Sequence, residues 1–192
     1  MARITNLKAQ LVFGGARPTD FEVQFINPVD PSGDLKAAFL CKSAQIPQSQ
    51  LGEVPLLYHG QPVYFAGNRT FEPWTVTIIN DTDFTIRDSF ERWMNGINAH
   101  SANTGLTNPV DYQSDLLVDQ LDRDESVIKR YTFRGAFPTV VGPITLDYDQ
   151  RDQIETFDVT FSYQYWESNT TSKWCTKYKG VFGLPFLLGG NF

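Results

Sequence analysis

The chain is poor in the residues that do chemistry: 192 residues hold two cysteines and two histidines. Cys41 and Cys175 are far apart and no apolar run near the start resembles a secretory signal, so the thiols are expected reduced and cytosolic, with no disulfide framework. His59 and His100 sit in turn-like surroundings without a neighbouring Ser or Cys motif, which argues against an activated nucleophile and against a Cys/His zinc site. Basic residues are also scarce. Sixteen Lys and Arg against 22 Asp and Glu leave −6, the wrong sign for a domain that grips nucleic acid. Neither a phosphate loop nor a dinucleotide fingerprint is present. Val181–Phe192, the most apolar stretch, is too short and too broken by Gly183, Pro185, Gly189 and Gly190 to span a bilayer, so no membrane insertion is expected.

Two acidic groups could hold Ca²⁺ or pair as acid and base: Asp122-Arg123-Asp124-Glu125, and Asp147-Tyr148-Asp149 with Asp152. In the second, Arg151 occupies the next alternate position and Asp152 the place where a calcium loop needs glycine. Turn-forming roles fit both groups better. The reading is therefore a non-enzyme without metal or cofactor.

Aromatics are what the chain has in quantity, 15 Phe, 8 Tyr and 4 Trp, and rigid flat side chains suit a pleated sheet. From Ile154 to Trp166, Phe157, Val159, Phe161, Tyr163 and Tyr165 alternate with Thr156, Asp158, Thr160, Ser162 and Gln164, predicting one long strand with a core face and a water face. Alternation predicts further strands around Phe21–Phe25, Trp74–Ile78, Leu116–Leu121, Tyr131–Phe133 and Thr145–Tyr148. Ile86, Phe90, Trp93, Met94 and Ile97 instead repeat at helical spacing behind Asp81-Thr82-Asp83, predicting one amphipathic helix against the sheet. Between Cys41 and Pro62 a long excursion carries Ile46, Leu51, Val54, Leu56, Leu57 and Tyr58 among Pro, Gly and Gln. It is either a protein contact or a plain hairpin folded back on the core.

The order of short blocks resembles the tail tube proteins of contractile-tail bacteriophages of the T-even type. The blocks run from Ala16-Arg17-Pro18 through Phe39-Leu40-Cys41-Lys42 to Ala66-Gly67-Asn68-Arg69-Thr70-Phe71-Glu72 and Trp74-Thr75-Val76-Thr77. They continue with Gly135, Phe137-Pro138-Thr139, Leu146-Asp147-Tyr148-Asp149 and Ile154 to Val159, and end at Tyr165-Trp166-Glu167. The resemblance implies a mainly β fold, two packed antiparallel sheets in a barrel-like body with one flanking helix, over residues 1–167. It implies hexameric rings stacked into the inner tube of the tail, the conduit for DNA ejection. Implied partners are the chain itself, the sheath protein, a tape-measure protein inside the tube, and baseplate and terminator proteins. The resemblance further implies that DNA passes without specific binding and that the protein is part of the virion tail, assembled in the host cytoplasm. Residues 45–60 would meet the neighbouring ring, making Ile46, Gln48, Leu51, Val54, Leu56 and Tyr58 stacking candidates. Thr156, Asp158, Thr160, Ser162 and Gln164 are candidates for a water-facing or lumen-facing surface.

Residues 168–192 have no counterpart in the family pattern and hold three lysines and no acid, so the chain ahead of them carries −9. Their role is open. The tube proteins of type VI secretion and other contractile injection systems, and baseplate tube initiators, share the implied architecture. A monomeric ligand-binding β-sandwich is the alternative of a different class.

Overall fold

The computed structural model describes residues 4–11 and 15–171. Residues 172–192, with Cys175 and most of the C-terminal extension, lie outside the described residues. The described residues form strands β1 (Phe21–Gln24), β2 (Cys41–Ala44), β3 (Gln50–Tyr58), β4 (Gln61–Thr70), β5 (Trp74–Ile79), β6 (Ser114–Leu121), β7 (Val127–Val141), β8 (Thr156–Ser162) and β9 (Tyr165–Ser168). Helices α1 (Ile4–Gln10), α2 (Asp34–Leu40), α3 (Thr85–Ile97) and α4 (Pro109–Tyr112) accompany them.

Alternation decides which side of each central strand is dry. Trp74, Val76 and Ile78 of β5 and Phe157, Val159 and Phe161 of β8 are buried, and the two strands pair antiparallel with Val76 opposite Val159. Seven strands make one antiparallel path, β1-β6-β7-β8-β5-β2 with β9 beside β7. The path folds over along the 15-residue β7, whose first half pairs with β6 and β9 and whose second half pairs with β8. Gly135, at φ +61, makes the corner; a Cβ there would meet Gln164 Cγ at 3.1 Å and Gln113 Oε1 at 3.2 Å. The fold is thus mainly β, two antiparallel sheets packed face to face.

The sheets close on an aromatic core. Trp74 stacks on Phe133 at 4.4 Å, joining one half to the other, and α3 lays Ile86, Phe90 and Trp93 over the open side. Phe90 meets Phe25 and Phe161 edge-on at 5.8 and 5.9 Å. The Trp93 indole N–H donates to Tyr112 O at 2.8 Å, so the buried indole keeps its hydrogen bond. Asp83 Oδ1 accepts the Thr85 N–H at 3.2 Å, while Phe84 takes the cap position at φ +54.

Two expectations are corrected. The long strand over 154–166 is two: β8 ends at Ser162, the Gln164 N–H turns to Arg134 O at 3.0 Å, and β9 then pairs with the other half of β7. The alternation runs on because it records a side, not a partner strand. Residues 145–148 lie in the irregular connection between β7 and β8, unpaired with any strand among the described residues, and Leu146, Tyr148 and Ile154 stand in solvent. The flanking helix α3 is joined by α1, α2 and α4, of at most seven residues each, too short to show a period.

Candidate assembly interface

The excursion is a hairpin, and it is not folded back on the core. Among the described residues, β3 and β4 pair only with each other, as a two-stranded sheet of their own. Nine residues of β3 give a ribbon about 30 Å long. Its turn is His59-Gly60, with φ of +48° and +83°, the two left-handed residues that a tight hairpin turn requires. Near the base β4 places Gly67 and Asn68 against Gly52, a bulge where a Cβ on Gly67 would meet Gly52 O at 2.9 Å.

Register sorts the stacking candidates onto two faces. Val54, Leu56 and Tyr58 stand on one face, opposite Phe65, Val63 and Gln61. Leu51 falls on the other with Glu53, Pro55 and Leu57, opposite Arg69, Ala66, Tyr64 and Pro62. Both faces are largely apolar, with Glu53 and Arg69 the charged members of the second, and both are exposed: every residue of β3 is open to solvent. Val63, Tyr64 and Phe65 of β4 join the surface without having been singled out in the sequence. The signal that could have found them is the tight-turn pair His59-Gly60 between two apolar runs.

Ile46 and Gln48 lie in the linker ahead of β3. The Trp74 indole donates to Gln45 O at 2.7 Å and the Trp166 indole to Gln48 O at 3.1 Å, so the linker is pinned to both halves of the barrel. Ile46 is exposed and lines a groove with Phe21, Ala44 and Val118, between the edge strands β1 and β2.

The polar side of β8 forms a second surface. Thr160 shares a hydroxyl hydrogen bond of 3.0 Å with Thr75, and Asp158 accepts from Thr77 at 2.7 Å. Thr156 and Ser162 stand on the same side, half-buried, whereas Gln164 lies past the end of the strand. On β5 and β8 this face holds hydroxyls, one carboxylate and Ile79, and neither Lys nor Arg.

The outer face of the other half carries ion pairs. Arg130 grips the buried carboxylate of Asp119 with two hydrogen bonds of 2.7 and 2.6 Å, and Arg134 bridges Asp115 and Glu167. The acidic groups of the loops serve turns: Asp124 accepts from Ser126, and Asp147 from the Asp149 N–H at 3.0 Å. Burial pushes the Cys41 thiol up to about 11, which leaves it protonated and unreactive at neutral pH.

The relatives fit a molecule built of such surfaces. The phage tail tube protein family matches residues 16–169. The tail tube protein gp19 of Enterobacteria phage T4 is 35% identical over 153 residues, covering 79% of this chain and 91% of that protein. The tail tube protein of Serratia phage KSP90 is 28% identical over 170 residues, 85% of this chain and 95% of that one. Among solved structures, the tube-terminating cap of the anti-feeding prophage superposes with a TM-score of 0.59 at 13% identity, over 80% of this chain and 90% of that one. A chain of the sheath–tube complex of an extracellular contractile injection system does so at 0.55 and 11% identity, over 88% and 98%. With a match spanning most of its length, this chain belongs to the phage tail tube protein family.

Proposed function

We propose that this chain forms hexameric rings that stack into the inner tube of a contractile phage tail, the conduit for DNA on ejection. The observation that carries this reading is the β3–β4 hairpin. A two-stranded ribbon is marginal in water by itself, and one that is apolar on both faces needs a partner surface on each. A ring stacked on identical rings supplies one at every level. The hairpin residues Leu51, Val54, Leu56 and Tyr58, with Ile46 and Gln48 at its base, form the stacking contact.

The hydroxyl face of β5 and β8 fits a channel wall. Without Lys or Arg it offers phosphates no counterion-releasing contact, so DNA passes without being held. Sheath protein surrounds the tube, a tape-measure protein occupies it before ejection, and baseplate and terminator proteins bound its ends. The tube domain runs to residue 167, with the remainder an extension. The protein acts in the virion tail after assembly in the host cytoplasm, as a structural part without catalysis or cofactor.

The test is Leu51→Asp with Leu56→Asp in the full chain, followed by negative-stain microscopy and light scattering. Folded subunits or single rings that no longer elongate are expected. Full-length tubes would remove the hairpin from the stacking contact, and an unfolded variant would assign it to the core.

A further inference from the structure

A tube that grows by adding identical rings is polar, so a projecting element at one end of the subunit must seat on the opposite end of the next. The hairpin leaves the barrel where β2 ends and β5 begins, beside Trp74 and its partner Phe161. The far end lies about 20 Å away, the length of the six-residue β5. Three segments gather there. β2 begins at Cys41, opposite Ile78, directly after α2. Beyond β5, the Asn80 N–H donates to Glu155 O at 2.9 Å, which places the β7–β8 connection at the same end. Lys36 of α2 reaches Asp81 and Asp83, both at 2.6 Å, and fastens the helix to that end as well.

This end is as unfinished as the hairpin. Leu35 and Phe39, one helical turn apart on α2, are 81% and 86% exposed while Ala37 between them is buried. Leu146, Tyr148 and Ile154 of the connection are 79%, 104% and 73% exposed. The connection also borders an open hollow of about 630 Å³, where Ile144, Leu146, Tyr148 and Ile154 stand among polar residues such as Asp147, Gln150, Gln153 and Glu155. Exposed apolar side chains beside a hollow of mixed lining, at the pole opposite an apolar ribbon, offer a complementary half for a head-to-tail contact.

We propose that Leu35, Phe39, Leu146, Tyr148 and Ile154 form the seat for the hairpin of the adjacent ring's subunit, the tip residues Leu57 and Tyr58 entering the hollow. This rests on the stacked-ring reading above. It adds which surface of the second copy receives the hairpin.

The two halves of a polar contact can be disabled separately. The hairpin variant, Leu51→Asp with Leu56→Asp, keeps its seat; the seat variant, Tyr148→Asp with Ile154→Asp, keeps its hairpin. Each full-length variant alone should give folded rings, checked by circular dichroism, that do not elongate. Mixed, they should give paired rings and nothing longer, because only one productive contact exists. A seat variant that builds full-length tubes, or a mixture without paired rings, overturns the seat while the stacking reading stands on the hairpin variant alone. A hairpin variant that elongates normally sinks the stacking reading itself. Should the seat variant fail to fold, Leu57→Cys subunits mixed with Tyr148→Cys subunits decide: an intersubunit crosslink dependent on both supports the seat, and intact tubes without one overturn it.

Discussion

β8 and β3 both carry large apolar side chains, and those side chains meet opposite fates. β8 buries Phe157, Val159 and Phe161 between two sheets, while β3, with Leu51, Val54, Leu56, Leu57 and Tyr58, buries nothing. β8 confines its apolar residues to one face, which the barrel covers, whereas β3 spreads them over two faces that the barrel leaves open. The barrel completes its own core, so the subunit is finished as a fold. The hairpin completes its hydrogen bonds through β3–β4 pairing, while its apolar side chains stay exposed. Under the stacked-ring proposal, stability and assembly rest on different residues, and substitutions should affect one without the other.

The largest effect is expected at the hairpin, where it should fall wholly on assembly. Burial of a Leu or Val side chain stabilises by about 1.5–3 kcal/mol, and a hexameric ring repeats each contact six times. Because register places Val54 and Leu56 on one face and Leu51 and Leu57 on the other, two variants sharpen the comparison. Val54→Asp with Leu56→Asp and Leu51→Asp with Leu57→Asp should each abolish elongation with the melting temperature unchanged. Normal tubes from one pair would show that only the other face is covered.

Phe161→Ala should do the reverse. Its ring meets Phe25, Trp74, Phe90 and Trp93. Truncating such a core aromatic costs about 3–5 kcal/mol, roughly 10 °C or more in melting temperature for a chain of this size. Rings, where the variant still folds at low temperature, should stack normally. A melting temperature within a degree or two of the parent would break the division drawn here.

The barrel was legible in the sequence and the hairpin only in part, for one physical reason. Alternation at Trp74, Val76 and Ile78 and helical spacing at Ile86, Phe90 and Trp93 record a single dry side, and those residues are buried as read. In β3 and β4 apolar residues occupy both faces, so no period of two survives, and Val63, Tyr64 and Phe65 went unread. The break at Tyr163-Gln164 was invisible because Tyr163 and Tyr165 keep the rhythm while the strand changes partners. Exposed Leu35 and Phe39 form a stripe of two on a seven-residue helix, below what periodicity can register. Partners outside the subunit leave no period in its sequence, only apolar residues that its own core does not use.

A smaller effect is expected on the hydroxyl face. Thr156→Lys with Thr160→Lys adds two cations to a surface that holds none on β5 and β8. In assembled particles genome ejection should slow several-fold at low salt and recover as salt rises, since phosphate contacts weaken by counterion release. Unchanged ejection would place this face away from the channel.

The smallest effect concerns acid. Lys36 beside Asp83, with the Thr85 hydroxyl and N–H, holds the Asp83 carboxyl down to about 2, and Lys36 lowers Asp81 in the same way. An acid depressed in the folded state contributes stability that is whole above its unfolded value, about 3.9, and fades as pH falls through the folded one. Both carboxylates are exposed and screened, so the change in melting temperature should be slight. Lys36→Gln should melt just below the parent at neutral pH, and the gap should close between about pH 4 and 2. The pair fastens α2, which carries Leu35 and Phe39, to the end proposed as the hairpin's seat. Elongation of Lys36→Gln rings, followed by light scattering, should therefore suffer more than their melting does. Equal sensitivity of both would show that α2 serves the barrel alone.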